Sequence, residues 1–405
     1  MHVPRVVRSA VLLCFVLRAA SVLAASEKPL DPLVQASNRF GAKLLAEIYR
    51  QNPRQNVFIS PASIALALGV AWSGARGETR AEMGRCLGIE GLGLDSLHAG
   101  TAGLLRSIHR KDPGIELEIA TSLWVASGEA LRRDFVERTA KAYEAQVVQL
   151  EPGDTAARID AWVREKTHGK IDSIVDKLPH DLVLEILNAV YFHGAWAEEF
   201  DEKETQEKPF HLLGGGVEPL PMMARYGTYP YFEGAGFRAA ALAYVGDMMH
   251  LCVVLPDSQS GLGAVIVNLA SDTGWGWAQQ LEPRYGEVVL PRFTLTYDLT
   301  MNEVLKKMGM ERAFDPGRAD FSGIVGVAGD IWISRVRHKS WVEVNEKGTE
   351  AAAVTVVEGL KSSDTSHVVR NPFRLVVDRP FLCVVRDRMT GLVLFLGAVT
   401  HPQRL

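Results

Sequence analysis

The side chains that could do chemistry are present, but not at chemical spacing. The chain holds 11 histidines and four cysteines. It contains no Gly-x-Ser-x-Gly elbow, no His-Glu-x-x-His pair and no Gly-x-x-x-x-Gly-Lys-Ser/Thr phosphate loop. A hydrolase needs a nucleophile held beside a base, and a metal site needs clustered donors; neither pattern occurs. Cys14, Cys86, Cys252 and Cys383 lie far apart among apolar neighbours, so buried thiols are expected rather than a metal site or a disulfide framework. No cofactor and no catalytic role follow from these residues.

A different chemistry is written between Gly348 and Asn371, a stretch of Ala, Val, Thr, Ser and Gly with few anchoring residues. Loops beyond about 15 residues are uncommon inside a compact domain and usually functional. Residues 349–357 are rich in small and β-branched residues, which suits a strand more than a linker. With a period of two, Thr349, Ala351, Ala353, Thr355 and Val357 face one way. Glu350, Ala352, Val354, Val356 and Glu358 face the other. The first set carries no charge and can enter a core, while both glutamates can stay wet. No proline interrupts the run before Pro372. The segment can therefore become a buried strand.

The rest of the chain must supply the sheet. Of 405 residues, 47% are hydrophobic and 23% charged, with a net charge of −4. This excludes a disordered or collagenous chain and gives no electrostatic case for nucleic acid. Arg5 and Arg8, the apolar run from Ala10 to Leu17 and the small residues before Ala25 predict a signal peptide over residues 1–25, hence export. That run is too short to cross a ~30 Å hydrocarbon layer, so no stable membrane association is expected.

Asp31-Pro32 and Ser60-Pro61 each open a helix, the first with Phe40, Leu44 and Ile48 on one face. Thr79 and Glu82 predict a capping box for a third helix. Alternation over 115–125, an apolar run over 182–192, and patterns at 239–244, 248–255 and 288–296 predict strands. Leu299, Val304, Leu305 and Met308 predict a late helix. The strand through Val336, His338, Val342 and Val344 and a closing hairpin, 381–385 with 392–399, complete an α+β pattern in one domain over 26–405.

Within that pattern, residues 345–353, Asn-Glu-Lys-Gly-Thr-Glu-Ala-Ala-Ala, resemble the hinge of the reactive-centre loop of inhibitory serpins. Residues 377–385 resemble the C-terminal signature of the same family. The segments 56–64, 188–192 and 319–323 agree in order, and Gly169-Lys170-Ile171 and Gly194-Ala195-Trp196 also fit. The resemblance spans about residues 30 to 402. It implies large mixed β-sheets surrounded by helices, with an exposed reactive-centre loop over about 348–371, in a monomer.

It further implies a hinge of Glu346, Gly348, Thr349, Glu350, Ala351, Ala352 and Ala353. A buried polar shutter would contain Asn56, Ser60, Ser63, Asn188 and His338, and a breach at the top of the sheet Trp196, Arg292 and Glu346. Where many members carry Asn, this chain has Asp160. The implied activity is suicide inhibition of a serine protease, with a cysteine protease as the other target class; the alternative is a non-inhibitory serpin of carrier or chaperone type.

Two rulers locate the reactive bond differently. Spacing from Glu346 puts it at Lys361–Ser362 or Ser362–Ser363, and counting back from Pro380 puts it within 366–370. A basic Lys361 suits a trypsin-like enzyme, whereas Ser362 suits a pocket for small residues. Mass spectrometry of the C-terminal fragment released by a trapped protease separates them. A fragment starting at Ser362 identifies Lys361, one starting at Ser363 identifies Ser362, and one starting beyond His367 rejects the first ruler.

Overall fold

The protein's structure, a computed structural model, describes residues 31–109, 114–126, 130–151, 155–175, 177–178, 182–258, 261–329, 331–349 and 371–405. Residues 1–25, expected to be a signal peptide, the expected hinge residues Glu350, Ala351, Ala352 and Ala353, and the candidate bond at Lys361, Ser362 and Ser363 lie outside these.

Proline opens the first two helices, where its missing N–H has no partner to lose. Helix α1 runs Pro32–Gln51, β1 Val57–Ile59 and α2 Pro61–Gly74. Helix α2 is buried on every side, and Ser60 caps it, its side chain accepting from Ser63 N. Then come α3 (Gly77–Leu87), α4 (Leu94–Ile108), β2 (Ile115–Val125), α5 (Arg133–Tyr143), β3 (Gln146–Gln149) and α6 (Ala156–Lys166). The middle of the chain is mostly strand: β4 (Leu184–Ala195), β5 (Gln206–His211), β6 (Val217–Gly234), β7 (Phe237–Ala243) and β8 (Met249–Pro256). After α7 (Leu262–Leu269) come β9 (Glu282–Pro291), β10 (Phe293–Thr300), α8 (Asn302–Lys307) and α9 (Ser322–Val325). The chain closes with β11 (Ile333–Val344), β12 (Gly348–Thr349), β13 (Phe373–Val376), β14 (Phe381–Asp387) and β15 (Val393–Val399).

These strands form two mixed sheets. A nine-stranded sheet has the order β1-β15-β14-β8-β7-β6-β9-β13, with β5 beside β6, and a six-stranded sheet has the order β10-β11-β12-β4-β2-β3. A continuous apolar core joins α1, α2, the expected β14–β15 hairpin and the inner face of the six-stranded sheet. Its one buried amide on α1, Asn38, is satisfied by the hairpin turn, donating to Gly391 O and accepting from Val393 N.

Three expectations are corrected. Residues 288–296 are not one strand: β9 ends at Pro291, β10 begins at Phe293, and they belong to different sheets. Pro291 has no N–H to continue a ladder, and Arg292 N turns to Pro221 O at 2.8 Å. Leu299, placed in the late helix, belongs to β10. Nor is the Thr79–Glu82 pair a capping box, since α3 starts after Arg76 with no side-chain cap. Thr79 Oγ1 instead accepts from Asp320 N, and Glu82 Oε2 accepts from Glu311 N (3.1 Å) and Arg312 N (2.7 Å). A distant segment needed those acceptors more than the helix end did.

Glu82→Ala therefore strips two backbone donors of their partner. We expect a loss of about 1–2 kcal/mol in denaturant unfolding followed by circular dichroism. An unchanged midpoint would mean that water replaces the carboxylate at no cost.

Candidate functional site

The feature that sets this sheet apart is the seam between β4 and β11. These strands pair in parallel from Leu184 and Ile333 up to Val190 and Ser340. Above that level they part, and β12 is wedged between them: Thr349 pairs with Val344 on one side and Gly194 on the other. The chain turns back into the gap because Asn345 Oδ1 accepts from Lys347 N (3.0 Å) and Gly348 N (3.2 Å). Glycine is required at 348, since an added Cβ would overlap the Gly194 carbonyl.

A cluster of side chains grips the wedge. Trp196 Nε1 donates to Asn345 O at 2.9 Å, and its backbone N to Lys347 O. The Trp196 ring stacks on Tyr244 with centroids 4.7 Å apart and planes 9° from parallel. The Tyr244 hydroxyl shares a 2.6 Å hydrogen bond with Thr349 Oγ1. Thr349 is 1% exposed, as its inward assignment required. Burial drives the Tyr244 phenol far above its ordinary range, so it stays a neutral partner. Glu346 Oε1 accepts from Thr205 Oγ1 (2.7 Å) and lies 3.6 Å from Arg292 Nη1. The structure thus brings together Trp196, Arg292, Glu346, Gly348 and Thr349. Tyr244 and Thr205 escaped the sequence reading, for they lie far off in sequence and carry no local pattern.

Lower on the inner face of the seam sits a second polar cluster. Asn188 Oδ1 accepts from Ser63 Oγ at 2.6 Å, and its amide donates to Ser63 O. Ser60 N lies 3.3 Å from His338 Nε2 and can only donate, so that nitrogen is the acceptor. Nδ1 then carries the proton and donates to Asn188 Oδ1 at 2.9 Å. Ser60, Ser63, Asn188 and His338 therefore meet, with His338 bridging β4 and β11. Asn56 does not join them: its amide serves Thr400 N (2.8 Å) and His401 N and O at the far end of the chain. It precedes β1, whose partner is β15, and that pairing carries its side chain away from the seam. Asp160 is elsewhere too, its carboxylate accepting from Ile174 N and Val175 N.

No group of His, Cys, Asp and Glu among the described residues could hold a metal. Cys86, Cys252 and Cys383 are buried free thiols, and burial pushes Cys383 up to about 12, leaving it inert.

The neutral imidazole has a pH consequence. Complete burial depresses His338 to about 3, against ~6.5 in an unfolded chain. Its contribution is full above pH ~6.5 and is lost as pH falls toward 3, by roughly 1.4 kcal/mol per unit. Thermal midpoints between pH 7 and 4 should fall more steeply for the wild type than for His338→Gln. Equal slopes would assign the acid sensitivity to other groups.

The sequence model of the serpins, described as serine protease inhibitors, matches residues 35–402. Serpin B6 of Pongo abelii is 33% identical over 385 residues, covering 92% of this chain and 100% of its own. The leukocyte elastase inhibitor of Bos taurus is 33% identical over 390 residues with the same coverage, 92% and 100%. Tengpin, a thermophilic serpin of known native structure, superposes with a TM-score of 0.83 at 27% identity, over 93% of this chain and 96% of its own. With the family model matched over most of its length and relatives at 33% identity aligned end to end, the chain belongs to the serpin family.

Proposed function

We propose that this serpin is a suicide inhibitor of serine proteases. One observation carries the reading: Gly348–Thr349 already pairs with both β4 and β11. A strand continued in that register would set Ala351 between Phe192 and Val342, Ala353 between Val190 and Ser340, Thr355 between Asn188 and His338, and Val357 between Ile186 and Val336. All five inward residues are small or β-branched and uncharged. The Thr355 hydroxyl suits its position, because it can accept from His338 Nδ1 and donate to Asn188 Oδ1. The hydrogen bond lost when the strands separate is thereby replaced.

The protease supplies the covalent chemistry. Its serine oxygen adds to the scissile carbonyl, the C–N bond breaks, and the new amine leaves with a proton from the protease's general acid. The ester that remains ties the protease to the loop. Insertion then moves β4 and β11 from ~4.8 Å to ~10 Å apart and carries the protease with it. About a dozen new hydrogen bonds at ~0.5–1.5 kcal/mol each release on the order of 10 kcal/mol, so the native state is held by kinetics. Similarity to the leukocyte elastase inhibitor supports a serine protease as partner. The N-terminal pattern over residues 1–25 supports export and an extracellular target.

Thr349→Arg tests the reading. The guanidinium would replace a buried hydroxyl against Tyr244, where an unpaired charge is strongly unfavourable. Against subtilisin-like and trypsin-like proteases, the wild type should give an SDS-resistant complex. The variant should be cleaved without one. Undiminished complex formation by the variant, or none by the wild type with any protease that cuts the loop, would overturn trapping by insertion.

A further inference from the structure

The helical side of the molecule holds a cavity of about 60 Å³ between α1, α2, α4 and the end of α5. A water-sized sphere needs about 10–15 Å³, so this space takes about four to six of them. Leu33, Leu66, Leu97 and Leu105 form apolar walls, and Ala65 and Gly69 of α2 leave the room between them. Two hydroxyls in the lining, Ser37 Oγ and Tyr143 Oη, have no hydrogen-bond partner among the described residues. Ser37 is 8% exposed and Tyr143 3%. Thr101 lies beside the Tyr143 hydroxyl, yet the two form no hydrogen bond of normal geometry. Burial pushes the Tyr143 phenol up, so it stays a neutral donor without an acceptor.

A cation stands next to this hydroxyl. Arg80 of α3 is held at both ends by Trp72 of α2. Its backbone oxygen accepts from Trp72 Nε1 at 3.0 Å, and its guanidinium carbon lies 4.1 Å from the ring centroid. Stacking fixes the guanidinium without using its N–H groups. Among the described residues no acid faces Arg80: burial and the repulsion of Arg76 hold it below its ordinary value, and Tyr143 acts the other way. The surplus of positive charge reaches His98 of α4, which packs edge-on against Tyr143 with centroids 5.5 Å apart. Burial lowers that imidazole, Arg138 and Arg80 lower it further, and Asp95 opposes them. Arg80 also lines a surface hollow with Trp72, Gly84 and Ile89, and Ile89 is shared with the wall of the cavity. The one acid lining that hollow, Glu90, is exposed and lies in the field of Arg85.

We propose that this corner of the molecule binds an apolar carboxylate, a fatty acid of short or medium length or a compound of that shape. The tail fills the cavity between α1, α2 and α4. The carboxylate lies at its α3–α5 end and accepts from Arg80 and from the Tyr143 hydroxyl. A mostly apolar cavity with a few convergent polar groups is the usual form of a small-ligand site. An amine would meet Arg80 and Arg76 as like charges, and a neutral chain would leave the guanidinium unused. The site takes nothing from the loop or the seam, so it stands or falls apart from the inhibitory reading.

Isothermal titration calorimetry of the full chain tests the site, with octanoate as the probe and acetate, octanol and octylamine beside it. Octanoate should bind one site with a dissociation constant of about 0.1–1 mM. Acetate and octylamine should give no saturable heat. Arg80→Gln, with its fold checked by circular dichroism, should weaken octanoate about tenfold and leave octanol unchanged. Ala65→Leu fills the cavity and should abolish binding of both chains. The wild-type comparison of octanoate with octanol needs no variant, and it decides if either substitution prevents folding. No saturable octanoate binding, equal wild-type affinity for octanoate and octanol, or undiminished octanoate affinity in folded Arg80→Gln would each overturn the site.

Discussion

Neighbouring strands in this protein are joined by antiparallel ladders in most places, but the seam between β4 and β11 is parallel and incomplete. Parallel pairing is slightly weaker per residue than antiparallel pairing. A third strand entering from the top would run antiparallel to both neighbours, as β12 already does. One weaker ladder would be exchanged for two stronger ones. The arrangement of the whole six-stranded sheet, and the need for clusters to hold it closed, follow from that asymmetry.

The side chains at the seam are polar where a simple core would be apolar. His338 and Asn188 link the strands on the inner face, and Arg335 and Glu185 link them on the outer face. Apolar contacts could close the seam as firmly, but they would not be specific about what may open it. A hydrogen bond that spans the seam can be replaced only by a residue with the right donor and acceptor at the right height.

The breach cluster works by a different principle, close packing. Gly348 lets two backbones approach where a Cβ would collide with the Gly194 carbonyl, a Cβ at Gly194 would strike the Tyr244 and Phe192 rings, and Trp196 stacks on Tyr244. Thr349, at the end of the wedge, is held by the hydroxyl bond to Tyr244 and is buried. Size and charge are therefore both selected at this position, while Glu346 is anchored outside the wedge by Thr205 and Arg292.

Much of this was legible in the sequence. Alternation placed the β11 strand with His338 inward, and proline signals opened the first two helices. These are local facts, carried by periods of two and 3.6 and by the backbone limits of proline. Side-chain partners across long separations were not legible. Thr79 and Glu82 look like a cap but bind a segment more than 200 residues away, Asn56 serves the C-terminal end, and Tyr244 meets Thr349 without any motif. Glu185 sits in an apolar run where nothing marks it until β11 places Arg335 beside it. Hydrogen bonds and ion pairs depend on which strands become neighbours and in what register, and that is decided only when the sheet forms.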